Sequence, residues 1–413
     1  MANDRHRVQA QTARPRWLAT SGAWQFVSAR QCRPNENQAQ PQLIRPACTI
    51  FLLAAALLGC GGGGDGGGNS ASAPPAAAAT AAAQVYALTN PGDNAAELGR
   101  LAALPTVDGL AFRPFWSGLE PSDGVFDWTS LDAALDAVRT QAKGLTIHVN
   151  PTEGGLPGWL SAAGAAVYTY IPPAGPNSTA PLPWDAVYLG RYGAFITAMA
   201  SHVSARGSDA ALVKYVSVPV PVPEMSLSIC GDGVIKTTSA TTPSIAYDRA
   251  SYLSAWKTTL LNQITAFNAA AFSSVKVLVS APARDICHHF AIGGGDNDGA
   301  AFYAEAMAYA LTLRQNMGVF AADLNGGASQ ADGAGSLRLK QATGSTFSGL
   351  PINLQTIASA TADPARMDGT LLQAVCKGRA AGGRNFEIYK EDLDNQATDI
   401  QAAIAAARNG NGC

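Results

Sequence analysis

The 413-residue chain carries little charge and has no block of basic residues. Asp, Glu, Lys and Arg make up 14% of the chain, and the formal net charge is −2 at pH 7. Proteins that bind nucleic acid display a basic surface, because they must neutralise a phosphate backbone. The near-neutral balance therefore argues against nucleic acid as a partner.

Three common kinds of site motif are also missing. The chain has no Gly-x-Ser-x-Gly elbow, no phosphate-binding loop and no His/Cys group with zinc spacing. These absences argue against the serine hydrolases that carry the elbow, nucleotide enzymes and a structural metal. The adjacent His288 and His289 are poor metal evidence, and residues 293–299 resemble a calcium loop only loosely. We therefore expect neither a metal nor a cofactor.

The apolar segment Thr49–Gly59 is too short to cross a bilayer as a helix, which takes about 20 residues. It follows Arg45 and fits the hydrophobic region of an export signal. Leu57-Leu-Gly-Cys60 resembles the bacterial lipobox, in which cleavage leaves a lipidated cysteine at the N-terminus. That resemblance implies an exported lipoprotein, and Gly61 in the next position favours the outer membrane. An ordinary signal peptide or a buried helix is the alternative.

Composition divides the chain into three parts. Residues 1–59 form the predicted export region, with an unusually long N-terminal extension. Residues 60–83 join the predicted lipidated cysteine to Gly, Ala, Ser and Pro, a composition typical of a flexible tether. Residues 84–413 have the length of one large α/β barrel. A lipid anchor at Cys60 would hold this domain at a membrane.

The body of the chain has four cysteines: Cys230, Cys287, Cys376 and Cys413. An even number in an oxidising compartment indicates two disulfides. Cys230 with Cys287 would join neighbouring loops, and Cys376 with Cys413 would tie the C-terminus to the last helices. Other pairings stay open.

Eight strand-like runs alternate with helical patterns, which is typical of βαβ units and a parallel sheet. The runs are 84–88, 107–114, 144–149, 212–222, 275–280, 319–324, 352–358 and 385–389. The helical patterns cover 95–104, 131–142, 185–204, 249–270, 300–316, 363–380 and 397–408. This order predicts an α/β fold, a (β/α)8 TIM barrel, whose sixth unit has the weakest pattern.

The run Tyr215–Met225 carries the strongest functional signal. A β-branched strand leads into alternating prolines and then presents one carboxylate, Glu224. In a (β/α)8 barrel the catalytic residues lie at the carboxyl ends of the strands. An acid at this place therefore predicts a catalytic role.

A longer motif begins at the end of the second predicted strand. Arg113-Pro-Phe-Trp116-Ser-Gly-Leu-Glu120-Pro is followed by Gly124-Val-Phe-Asp-Trp128. This pattern resembles the clan A glycoside hydrolases, especially family 42 β-galactosidases and family 5 cellulase-like enzymes. The resemblance implies hydrolysis of O-glycosidic bonds in an oligo- or polysaccharide by paired carboxylates. It makes Glu120 a structural residue and Glu224 the catalytic acid/base.

The resemblance also implies a second carboxylate on strand seven, where this chain has Gln355. The nearest acid is Glu387 on predicted strand eight, which points away from Phe386 and Ile388 because side chains alternate along a strand. Either one strand is miscounted or the site has diverged. A structural ion pair with Arg113 is the alternative role of Glu387.

Aromatic and polar residues near the strand ends are the predicted sugar contacts. Indole faces stack on sugar rings, and polar side chains bind hydroxyl groups. The predicted contacts are Arg113, Trp116, His148, Asn150, Trp159, Asp323, Gln355 and Tyr389. Loop packing is an open alternative for Trp159 and Trp184. Gln355, and Pro223 in place of the family's asparagine, favour a second reading: a catalytically degenerate barrel that serves as a carbohydrate-binding surface lipoprotein.

Overall fold

The computed structural model describes residues 82–151, 154–170, 178–219, 234–235, 245–246, 249–280, 297–327 and 349–413. All of them fall within one unit, Ala71–Cys413. Cys60, Glu224, Cys230 and Cys287 lie outside the described residues. In the part that is described, no helix has both the length and the apolar character needed to cross a membrane.

Eight parallel strands form the centre of the fold. They are β1 Gln84–Leu88, β2 Gly109–Phe112, β3 Gly144–Ile147, β4 Val213–Val218, β5 Lys276–Ser280, β6 Met317–Leu324, β7 Ile352–Thr356 and β8 Gly383–Tyr389. The strands close into a barrel in the order β1-β8-β7-β6-β5-β4-β3-β2. Each strand overlaps a run predicted from the sequence. The predicted (β/α)8 barrel is therefore confirmed.

Helices connect the strands along the chain. The longer ones are α1 Ala95–Ala103, α2 Thr129–Thr140, α3 Ala186–Ala205, α4 Arg249–Ala266, α5 Asn297–Leu313, α6 Leu371–Ala380 and α7 Thr398–Asn409. Single helical turns occupy Trp116–Leu119, Trp159–Ala162, Pro364–Met367 and Lys390–Leu393. The helix predicted over 363–380 is interrupted because Asp368 and Gly369 adopt φ values of +47° and +128°. Thr370 then caps α6 through a reciprocal pair of hydrogen bonds with Gln373.

The chain also forms short irregular elements outside the barrel. Two small antiparallel ribbons pair Val167–Tyr170 with Ser178–Pro181 and Val234–Ile235 with Ile245–Ala246. Two 3-10 turns, Gly207–Leu212 and Ala270–Phe272, precede β4 and β5. These segments lie in connections between barrel strands, where loops can vary without disturbing the sheet.

Side chains of the barrel strands alternate between two environments. Leu145, Ile147, Leu354, Phe386 and Ile388 belong to the main core, between the sheet and the helices. The residues between them face the barrel interior, where one apolar cluster comprises Tyr86, Leu88, Ala111, Tyr215, Leu278 and Phe320. Buried polar residues share that interior: Thr146, Ser217, Asn353, Gln355, Asn385 and Glu387. Branched apolar residues dominate most such interiors, so this polar content needs a separate explanation.

A disulfide joins Cys376 of α6 to Cys413, with the two Sγ atoms 2.14 Å apart. One of the two predicted pairings is therefore confirmed. The end of the chain is also held at the start of β1, because the Ala83 amide donates to the Arg408 carbonyl over 2.9 Å. The Arg408 guanidinium pairs with Asp108 at 2.5 Å.

Replacing both Cys376 and Cys413 by serine is expected to lower the free energy of unfolding by about 2–4 kcal/mol. The cross-link spans 37 residues of sequence, and it removes the entropy of an open loop of that length from the denatured chain. Urea denaturation of the wild type and the double variant, both without reductant, measures the difference. Equal unfolding free energies would contradict this prediction.

Candidate active site

Glu387 lies at the centre of the candidate site. Its neighbours Phe386 and Ile388 pack in the outer core, so Glu387 faces the barrel interior, as the alternation predicts. Its side chain is completely buried, with 0% exposure. Burial of a carboxyl group is costly unless hydrogen bonds or an opposite charge compensate for the lost water.

A histidine and a serine form a hydrogen-bonded chain with this carboxyl group. Glu387 Oε1 lies 2.7 Å from His148 Nε2, and His148 Nδ1 lies 2.8 Å from Ser217 Oγ. The imidazole also stacks on Phe320, with ring centroids 4.5 Å apart. Both ring nitrogens of His148 therefore have protein partners. The predicted hydrogen bond from His148 to a sugar hydroxyl stays a prediction.

The direction of the two hydrogen bonds depends on the tautomer of His148. If Glu387 is ionised, the carboxylate can only accept, so Nε2 of a neutral imidazole donates to Glu387 and Nδ1 accepts from the Ser217 hydroxyl. Sequence analysis missed Ser217, although it stands between valines at an interior position of β4. A small hydroxyl residue between Val216 and Val218, at an interior-facing position, was the available signal.

Some buried polar atoms inside the barrel lack a hydrogen-bond partner among the described residues, including the second oxygen of Glu387. Within the described part of the chain, no partner exists for Glu387 Oε2, Thr146 Oγ1 or Asn353 Nδ2. All three groups belong to interior-facing residues. Buried polar atoms in proteins normally bond to other groups or to ordered water. Glu387 Oε2 and Thr146 Oγ1 can therefore each accept a hydrogen bond from a further polar group, and Asn353 Nδ2 can donate one.

Gln355 resolves the question of strand number. It lies on β7, directly beside Glu387 on β8 in the sheet register. The barrel order places β7 and β8 as the seventh and eighth strands, so the count made from the sequence is confirmed. The position where the resemblance implies a nucleophile holds a buried amide instead.

Arg113 follows β2 and forms no ion pair with Glu387. Its guanidinium lies over the ring of Tyr389, 5.7 Å from the centroid, and its Nε donates to the Thr89 carbonyl over 3.4 Å. The suggested ion pair between Arg113 and Glu387 is therefore wrong. Arg113 and Tyr389 are each partly exposed at the carboxyl ends of their strands, where a substrate can reach them.

Trp116 is part of the core rather than the site surface. Its indole is fully buried, donates to Glu120 Oε2 over 2.7 Å, and packs against Trp159, Tyr192 and Phe195. This burial favours a packing role for the ring. The predicted sugar contact at Trp116 stays a prediction.

Glu120 organises the loop around Trp116. Its carboxylate accepts from the Gly124 amide over 2.9 Å, and its backbone carbonyl accepts from the Trp159 indole over 2.9 Å. Burial raises the pKa of the Glu120 carboxyl above its usual range. These contacts agree with a structural role for Glu120. They also favour loop packing for Trp159, and Trp184 is likewise partly buried against the core.

The remaining predicted residues are less fully described. Asn150 lies just beyond β3, and its carbonyl accepts from the Trp116 amide over 3.0 Å. Asp323 lies in β6, but its side chain is outside the described residues, as is all of Glu224. Across the described ranges, no group of three or more His, Cys, Asp or Glu side chains is arranged to hold a metal ion.

Comparisons with known proteins agree with this architecture. The sequence model of glycoside hydrolase family 42, described as β-galactosidase, matches residues 106–168, which include Arg113 and His148. The chain resembles clan A glycoside hydrolases. No curated protein matches it.

Solved structures extend the comparison over most of the chain. The catalytic domain of β-amylase from Paenibacillus polymyxa aligns with a TM-score of 0.50 and 11% identity, covering 79% of this chain and 100% of that one. Endo-glycoceramidase II from Rhodococcus sp. gives a TM-score of 0.44 and 15% identity over 75% and 73% of the two chains. The intracellular xylanase TsXylA from Thermoanaerobacterium saccharolyticum gives 0.42 and 12% over 75% and 85%. At these identities the similarity to β-amylase establishes the fold alone.

Proposed function

We propose that the protein is a glycoside hydrolase acting on O-glycosidic bonds of an oligo- or polysaccharide. The observation that carries the proposal is Glu387, a buried carboxyl group that faces the barrel interior and has one oxygen without a described partner. A barrel interior selected for stability alone would favour an apolar side chain there. The family 42 match over residues 106–168 supports a sugar substrate.

In this proposal two carboxyl groups divide the reaction between them. Glu224, which the sequence presents beyond β4, protonates the glycosidic oxygen. Glu387 supplies negative charge that stabilises the positive charge developing at the anomeric carbon. Complete burial fits this electrostatic role better than direct attack. The proposed contacts to sugar hydroxyls are Arg113, Asn150, Asp323, Gln355 and Tyr389.

The test is hydrolysis of a panel of aryl glycosides and of plant and bacterial polysaccharides by the full-length protein. Reducing-sugar release and chromatography of the products are the measurements. We expect at least one member of the panel to be cleaved. A folded protein that releases no sugar from any member would contradict the proposal.

A carbohydrate-binding barrel without hydrolytic activity is the second candidate. It is favoured by Gln355, an amide at the strand-seven position where the related enzymes are expected to have a carboxylate. Affinity electrophoresis in gels that contain each polysaccharide separates the two functions. Retarded migration without sugar release would support binding, whereas sugar release would exclude this candidate.

We also propose that Cys60 carries a lipid that anchors the protein in a bacterial outer membrane. The support is the Leu57-Leu-Gly-Cys60 pattern and the glycine-rich tether after it. Growth of an expressing bacterium with a labelled fatty acid should label the wild type, and Cys60→Ser should abolish the label. Equal labelling of both proteins would contradict lipidation at this residue.

A further inference from the structure

Ser217, His148 and Glu387 have the arrangement of a nucleophile, a base and an orienting acid. The Oγ–Nδ1 distance is 2.8 Å and the Nε2–Oε1 distance is 2.7 Å. Both lie within the range expected of an activated hydroxyl, its base and the group that orients the base. Such triads recur on unrelated folds and are recognised by geometry and roles rather than by a motif. The missing Gly-x-Ser-x-Gly elbow therefore does not decide the question.

Two of the three residues keep a small exposed fraction. Ser217 and His148 are each 6% exposed, whereas Glu387 is 0% exposed. The acid is therefore the group that is fully shielded from solvent. If His148 only compensated the buried Glu387 carboxylate, no serine would be needed on its other ring nitrogen. Here Ser217 occupies the one ring nitrogen that can accept a proton.

The surrounding side chains hold this arrangement in place. Phe320 stacks on the imidazole, and Gln263 of α4 donates from Nε2 to the Ser217 carbonyl over 3.0 Å. Leu278, which is fully buried, lies beside Ser217 in the sheet register. A nucleophile and base held on strands rather than loops keep their geometry without reorganisation. Since only 6% of Ser217 is exposed, a bulky acyl group would not reach its hydroxyl.

We propose that Ser217 is the nucleophile of a second activity, the hydrolysis of short-chain carboxylic esters such as acetyl esters. Ser217 Oγ bonds to the acyl carbon while its proton passes to His148 Nδ1, and the Nε2 proton stays on the hydrogen bond to Glu387. The ester C–O bond breaks, and the leaving alcohol takes the proton from Nδ1. Water then attacks the acyl-serine by the same route, releases the acid and restores Ser217. In the serine proteases Nε2 faces the serine and Nδ1 faces the acid, whereas here Nδ1 faces Ser217 and Nε2 faces Glu387.

Labelling of the full-length protein with a fluorophosphonate probe tests this inference. We expect one adduct per protein by intact mass, mapped to the peptide that contains Ser217. Ser217→Ala should abolish the adduct and reduce 4-nitrophenyl acetate hydrolysis by about 10³-fold or more. Ser280→Ala is the matched control, because Ser280 is an interior-facing serine on the adjacent strand β5 and is 9% exposed. This control should keep both the adduct and the turnover.

Two results would overturn the inference. One is a folded wild-type protein that forms no adduct with the probe. The other is ester turnover in Ser217→Ala equal to that of the wild type, which would assign any hydrolysis to a different group. Circular dichroism of each variant establishes that it is folded. Neither the adduct nor the ester turnover depends on glycoside hydrolysis. Failure of this inference can therefore be distinguished from failure of the proposed glycosidase activity.

Discussion

Replacing Glu224 by glutamine is expected to reduce sugar release by about 10²–10⁴-fold, the usual contribution of a general acid. Glutamine has nearly the same shape as glutamate but no proton to give to the departing oxygen. The measurement is kcat on the best substrate of the panel, with a thermal melt to show that the variant is folded. The loss should be smaller for an aryl glycoside whose leaving group is a weak base, because that group needs less protonation.

Glu305→Gln is the matched control for this experiment. Glu305 lies on α5, its side chain is 46% exposed, and it pairs with Lys257 at 2.9 Å. A surface pair of this kind contributes little to stability. The control should therefore keep the activity and the melting temperature of the wild type. Unchanged kcat in Glu224→Gln would remove Glu224 from the mechanism.

Replacing His148 by alanine is expected to lower the free energy of unfolding by about 3–5 kcal/mol, the usual cost of leaving a buried carboxylate without its hydrogen-bonding partner. The substitution removes the described partner of Glu387 Oε1, and Oε2 already has none among the described residues. The fully buried carboxyl group would then lack compensation for its lost water. Urea denaturation, followed by circular dichroism, measures the loss.

Two further variants distinguish loss of the His148–Glu387 hydrogen bond from a general loss of packing. The double variant His148→Leu with Glu387→Met removes both polar groups, so it should recover most of the stability lost in the single variant. Ser217→Ala removes one hydrogen bond and should cost only about 0.5–1.5 kcal/mol. A His148→Ala protein as stable as the wild type would show that Glu387 does not depend on the imidazole.

The barrel could be predicted from the sequence because its signals are local. Runs such as Val275–Ser280 are short, apolar and β-branched, and each is followed by a helical pattern. The inward direction of Glu387 also followed from a local rule, the alternation of side chains between Phe386 and Ile388. Local signals also predict that the chemistry lies at the carboxyl ends of the strands.

The contacts within the candidate site could not be predicted in the same way. His148 lies 69 residues from Ser217 and 239 residues from Glu387 along the chain, and only barrel closure and strand register bring the three together. Trp116 shows a different limit, because two signals point to different roles. Its i, i+4 spacing to Glu120 on a helical turn indicates an internal hydrogen bond, whereas the resemblance to sugar-binding enzymes predicts a sugar contact.

The pairing of β1 with β8 determines when the fold can form during synthesis. Contacts between these ends of the barrel join residues such as Arg100 and Asp394, which are 294 positions apart. Until Gly383–Tyr389 has left the ribosome, the nascent sheet has an open edge at β1 that can pair with other chains. Topologies with such distant contacts also fold slowly. Nascent chains of this protein therefore cannot close the barrel until β8 has been synthesised, and until then their unpaired strand edges are available to chaperones.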